Sequence, residues 1–241
     1  MRSPVAIAAI ALALSASAAG AQDLSLNLGD QTLTGQSLLL IALVTVLSLA
    51  PGLAVMVTCF PFIVTVLSIL RQAIGLQQSP PNMLIVSLAL FLTWFIMEPV
   101  FSQAWVAGVQ PLIAGTIELP DAFERGIAPF RMFMAGRIEA DTFLSLAALR
   151  PETATLSDAG TAPLSLLVPS FMLSEVARAF EIGFLIYLPF LIIDLVVSAV
   201  LMSMGMMMVP PAVVALPFKL AFFVVADGWS LISGALVRSY F

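Results

Sequence analysis

The 241-residue chain contains no histidine, a single cysteine (Cys59) and a single lysine (Lys219). Without histidine it lacks both the commonest general base and the commonest metal ligand. No nucleophile is paired with a base and no ligand set is clustered, so the chain reads as a non-enzyme with no cofactor and no metal site. One cysteine cannot form an internal disulfide, so any part facing an oxidising compartment must fold without a staple. Cys59 lies in an apolar run, where a packing thiol is the simpler reading and a redox role the rarer one. Charge is also scarce. Asp, Glu, Lys and Arg make up 10% of the residues, against about 25% in an ordinary soluble domain. The net charge of −5 includes no basic stripe, which excludes nucleic acid as a partner.

Apolar residues make up 61% of the chain, too many for a water-facing surface of normal size. The composition therefore points to an all-α membrane protein. Residues 1–21 read as a signal peptide: Arg2, an apolar stretch, then small residues, with Ala19 and Ala21 forming an A-x-A cleavage site. The other reading is an uncleaved first span. Residues 22–36 form a short periplasmic segment, and residues 37–101 a first hydrophobic hairpin. No charge occurs between Asp30 and Arg71, and this stretch is nearly twice the roughly 20 residues needed to cross a bilayer. Pro51-Gly52 and Pro61 leave open one kinked helix or a broken pair. A second span follows Pro80-Pro81 from Met83 to about Phe101, its end marked by Glu98-Pro99. Residues 102–169 hold most of the charges and read as a small helical periplasmic domain, with Phe123, Ile127, Phe130, Met134 and Ile138 on one face. Residues 170–241 form the second hairpin, with spans from Ile182 to Met204 and from Val213 to about Val237. That makes about four hydrophobic segments.

Two charges stand in oily surroundings: Asp194 in FLIIDLVVSA and Lys219 in ALPFKLAFFVV. A charge at membrane depth costs about 2.5–3.5 kcal/mol on insertion scales, so each must be paired or face water. Counted from a turn centred on Met208, the two lie at depths about 4–5 Å apart. They either pair within the hairpin or reach a neighbouring subunit. Glu175, Arg178 and Glu181 lie on adjoining helical faces just before the third span, as a solvated helix end or as a subunit contact. Five methionines crowd residues 202–208. They read as ordinary packing at a helix end or as a deformable seal, since methionine repacks around changing partners.

The run from LVPSFMLSEVARAFEIGF through IIDLVVSAVLMSMGMMMVPPAVVALPFKLAFFVVADGW to SLISGAL resembles the C-terminal half of the FliP family of flagellar biosynthetic proteins. It is also similar to the corresponding R component of type III injectisomes. SPPNMLIVSLALFLTWFIMEPV resembles the family's second span. The resemblance covers residues 37–101 and 164–236 and is weaker between them. It implies a core subunit of the flagellar type III export gate in the bacterial inner membrane, at the basal body, with much of its mass on the periplasmic side. It further implies about five copies in a helical oligomeric pore with FliQ-type and FliR-type subunits, adjoining FlhB-type and FlhA-type components, through which unfolded flagellar proteins pass. Met206, Met207 and Met208 match the family's constriction, and Asp194, Lys219 and Glu175 match its polar positions. One departure stands out: after Thr58 the family continues with Ser, Phe and a basic residue, whereas here Cys59-Phe60-Pro61-Phe62 precedes the next basic residue at Arg71. A small-molecule or ion transporter using Asp194 and Lys219 is the alternative function.

Overall fold

A computed structural model describes residues 33–75, 80–206 and 208–241; the signal-peptide reading, Ala19 and Ala21 lie outside them. The described residues are helical and contain no strand. The chain divides into two compact units, residues 1–49 and 50–241. In the first, the described part of α1 (Leu33–Met56) carries exposed Leu38, Leu40, Ile41, Val44 and Leu49.

The second unit is organised around α2 (Phe60–Ile74), whose inward residues Phe62, Ile63, Val66, Leu67, Leu70, Ala73 and Ile74 are all buried. The open choice over residues 37–70 resolves into two helices. Pro51-Gly52 stays inside α1, and the break falls at Val57–Cys59. There Thr58 Oγ1 donates to the Val55 carbonyl at 2.9 Å and accepts from the Phe60 N–H at 3.4 Å. Pro61 then sits in the first turn of α2, where no partner for its nitrogen is needed. Gly75, at φ +86°, closes the far end.

Against α2 pack α3 (Asn82–Ala104) and α7 (Leu164–Ser203). The expected stop at Glu98-Pro99 does not occur. α3 runs through Pro99 into a π-helical turn at Trp105–Val109 and on through α4 (Gln110–Ile113), a continuous rod from Asn82 to Ile113. Proline removes one hydrogen bond, and neighbouring helices compensate for it. The rod is pinned where Gly108 meets Gly126 of α5 (Leu119–Ala135): a Cβ on Gly108 would stand 2.6 Å from the Ala122 carbonyl oxygen. α5 and α6 (Ala140–Ala147) pack on α3 and α7 respectively, so residues 102–169 belong to the same compact unit as the hydrophobic helices. The face predicted across them ends with α5 at Gly136, before Ile138, and is unevenly buried: Met134 is fully buried, whereas Phe123 is 66% exposed.

The span expected from Ile182 is the second half of α7, a 40-residue helix that begins directly after Pro163. The last segment is broken as well. α8 (Pro211–Val225) and α9 (Gly228–Arg238) diverge by 61°. Asp227 turns the chain at φ +47°, and Gly228 lies so close to Phe223 that a Cβ would stand 2.2 Å from its ring. Four spans therefore reduce, among the described residues, to two helices long and apolar enough to cross a membrane (Asn82–Ile113 and Leu164–Ser203), or three if the bent pair counts as one. α2, at 15 residues, is about 22 Å long, short of a hydrocarbon core of about 30 Å.

Candidate functional site

Two polar nodes and one exposed turn carry the residues singled out above. The first node surrounds Glu175, which is completely buried on α7. Its Oε1 accepts from Arg137 Nε at 3.0 Å and faces Arg178 Nη1 at 3.5 Å, and its Oε2 accepts from the Tyr240 hydroxyl. Arg137 also donates through Nη1 to the Ser239 carbonyl at 2.8 Å, and its guanidinium lies 4.1 Å over the Tyr240 ring. Ser174 Oγ accepts from the Glu139 N–H at 3.0 Å and donates to the Ser170 carbonyl at 2.9 Å. A buried carboxylate demands this density of donors, because burying an unpaired charge costs far more than burying a paired one. Burial, the Glu175 charge and the hydrogen bond to Glu175 together push the Tyr240 phenol well above its ordinary range.

Glu175 is not part of a solvated helix end: it is buried and paired within the chain. Arg178 is its half-buried partner, and Glu181, two turns along, is exposed. Arg137, Ser239 and Tyr240 were missed by sequence reasoning. They lie 38, 64 and 65 positions from Glu175, beyond the reach of any local pattern.

The second node joins three helices. Lys219 of α8, 6% exposed, donates from Nζ to Asp194 Oδ2 of α7 at 2.6 Å and to the Ala73 carbonyl of α2 at 3.1 Å. The turn geometry thus places Asp194 and Lys219 together within one chain. The sequence offered no sign of the third member, a backbone carbonyl in the last turn of α2. A cation there also complements the negative end of the helix dipole. The Asp194 side chain keeps 31% exposure, but its Oδ1 is buried without a hydrogen-bond partner, as is Arg137 Nη2 in the first node.

The turn between α7 and α8 begins at Gly205, at φ +73°, whose N–H bonds the Met202 carbonyl at 3.1 Å while the Met206 N–H reaches back to Leu201 at 3.0 Å. The glycine thereby satisfies carbonyls left free at the end of a 40-residue helix. Met202, Met204 and Met206 are exposed and Met208 is 97% exposed; Met207 lies outside the described residues. Beside the turn runs an aliphatic groove of about 580 Å³ floored by Ile193, Val197 and Leu201 of α7 and flanked by Val214 and Phe218 of α8.

Comparison with known proteins places these features in a family. The FliP family model matches residues 43–236, a stretch that includes Glu175, Asp194, Lys219 and the methionine turn and stops short of Tyr240. Flagellar biosynthetic protein FliP of Caulobacter vibrioides is 51% identical over 220 residues, covering 90% of this chain and 81% of that protein. The FliP of Rhizobium meliloti is 48% identical over 201 residues, covering 82% and 81%. That of Bacillus subtilis is 45% identical over 205 residues, covering 83% and 90%. With four-fifths or more of its length shared at such identity, the chain belongs to the FliP family.

Proposed function

We propose that this chain is a core pore-forming subunit of the flagellar type III export gate, carrying unfolded flagellar proteins across the bacterial inner membrane. Membership of a family whose relatives are named for flagellar biosynthesis carries the proposal. The distribution of polarity supports it. The buried charges are paired inside the chain, while the outer face of α7 presents Phe180, Phe184, Leu185, Leu195 and Val196 uncovered. Such a face belongs against lipid or other subunits. The proposal takes about five copies, co-assembled with FliQ-type and FliR-type subunits next to FlhA-type and FlhB-type components, with residues 102–169 on the periplasmic side. Met206, Met207 and Met208 form the seal, because long flexible thioethers at an exposed turn close a gap without fixing its shape.

The transporter reading needs Asp194 and Lys219 free to exchange a solute. The ammonium is already engaged by a carboxylate and a carbonyl, which favours a joint between helices. The test replaces all three methionines by alanine in the assembled complex. Assembly should persist, and the resting membrane should leak small ions. Unchanged leak together with unchanged export would remove the seal. A purified single chain catalysing saturable solute flux would remove the pore-subunit reading.

A further inference from the structure

The second half of the C-terminal bent pair is held in an unusual way. α9 buries only Gly228, Ile232 and Leu236 and touches α3 and α8 sparingly. Its near end is a bend whose residue at φ +47°, Asp227, makes no side-chain cap. At its far end stand two strong ties: Arg137 to the Ser239 carbonyl and the Tyr240 hydroxyl to Glu175. The Tyr240 ring meets Phe62 edge-on at 5.6 Å and stacks on Phe133 at 6.0 Å. It covers the core cluster that contains Cys59 and Phe62, both fully buried. We propose that residues 227–240 are a strap, hinged at Asp227 and latched by Tyr240 and Arg137, that opens while the rest of the fold stays closed.

The charge arrangement makes the latch releasable. When Tyr240 leaves, Glu175 keeps Arg137 and Arg178, so no buried carboxylate is left unpaired. The cost is the two latch hydrogen bonds, the ring contacts and the exposure of Ile232 and Leu236, with α2, α3 and α7 still packed on one another, a loss on the scale of partial opening rather than global unfolding. Opening uncovers the edge of α2 at Phe62 and the thiol just before it.

That thiol, the only one in the chain, reports on the latch. The experiment follows alkylation of Cys59 by a small maleimide in the full-length protein in detergent micelles. The wild type should react slowly. Tyr240→Phe, and independently Arg137→Lys, should react about tenfold faster. A second thiol separates strap opening from general loosening: Ala147→Cys in a Cys59→Ala background, 1% exposed in the separate cluster of Phe143, Ala162 and Leu166. It should stay protected when Tyr240→Phe is added. Equal acceleration at both thiols, or no acceleration at Cys59, overturns the strap.

Discussion

The two polar nodes solve one problem in opposite ways. Around Glu175 a fully buried carboxylate is surrounded by three donors from three parts of the chain. Around Lys219 it is the cation that is buried, and its carboxylate partner Asp194 remains about one third exposed with one oxygen unpaired. In the first, both carboxylate oxygens are engaged within the chain, although Arg137 Nη2 has no hydrogen-bond partner. In the second, one carboxylate oxygen of Asp194 is buried without a partner. A buried ion pair adds little net stability when complete and costs heavily when broken, so the nodes should respond differently to losing one member.

The largest effect is expected from Glu175→Ala, which removes the carboxylate that pairs with the largely buried Arg137 and the half-buried Arg178. It should cost about 3–5 kcal/mol, read as a lost or sharply lowered unfolding transition in detergent. Lys219→Met should cost less, about 1–3 kcal/mol, because the Asp194 side chain is 31% exposed whereas Glu175 is fully buried. If Lys219→Met proved as damaging as Glu175→Ala, the distinction between a sealed and an open node would fail. Next comes an effect of pH. Because the Tyr240 phenol is raised in the folded state, its contribution should be fully present below the unfolded value of about 10 and fall as pH rises beyond it. Tyr240→Phe should flatten that alkaline decline, followed as midpoint against pH. The smallest effect belongs to Glu181→Gln, which should stay within about 0.5 kcal/mol, since Glu181 is exposed although it sits two turns from the sealed carboxylate.

What the residues revealed in advance follows the range of the forces involved. Helical character, the turn before Pro210-Pro211 and the proximity of Asp194 and Lys219 are local matters, readable from periodicity and from counting along two helices. Helix ends were harder. Pro99 looked terminal but lies inside a rod, because packing against α5 through Gly108 and Gly126 outweighs the lost hydrogen bond. Asp227-Gly228 looked like part of a span, but the bend depends on the Phe223 ring occupying the space of a side chain at 228. Hydropathy alone leaves open whether the uncharged stretch up to Arg71 is one kinked helix or a broken pair, and reads a span from Ile182 in what is α7. Surroundings separate α2 from α7: α2 is enclosed by its own chain, whereas only 11% of the most apolar window of α7 is buried. The sealed node was the least legible part, since its members meet only when α5, α7 and the stretch after α9 converge.

Lys219 carries a practical consequence as well. Because the sole lysine is folded against a helix end and a carboxylate, the body of the native protein offers no side-chain amine to acylating dyes or amine cross-linkers. Labelling at that position becomes a sensitive gauge of whether the α2–α7–α8 joint has come apart.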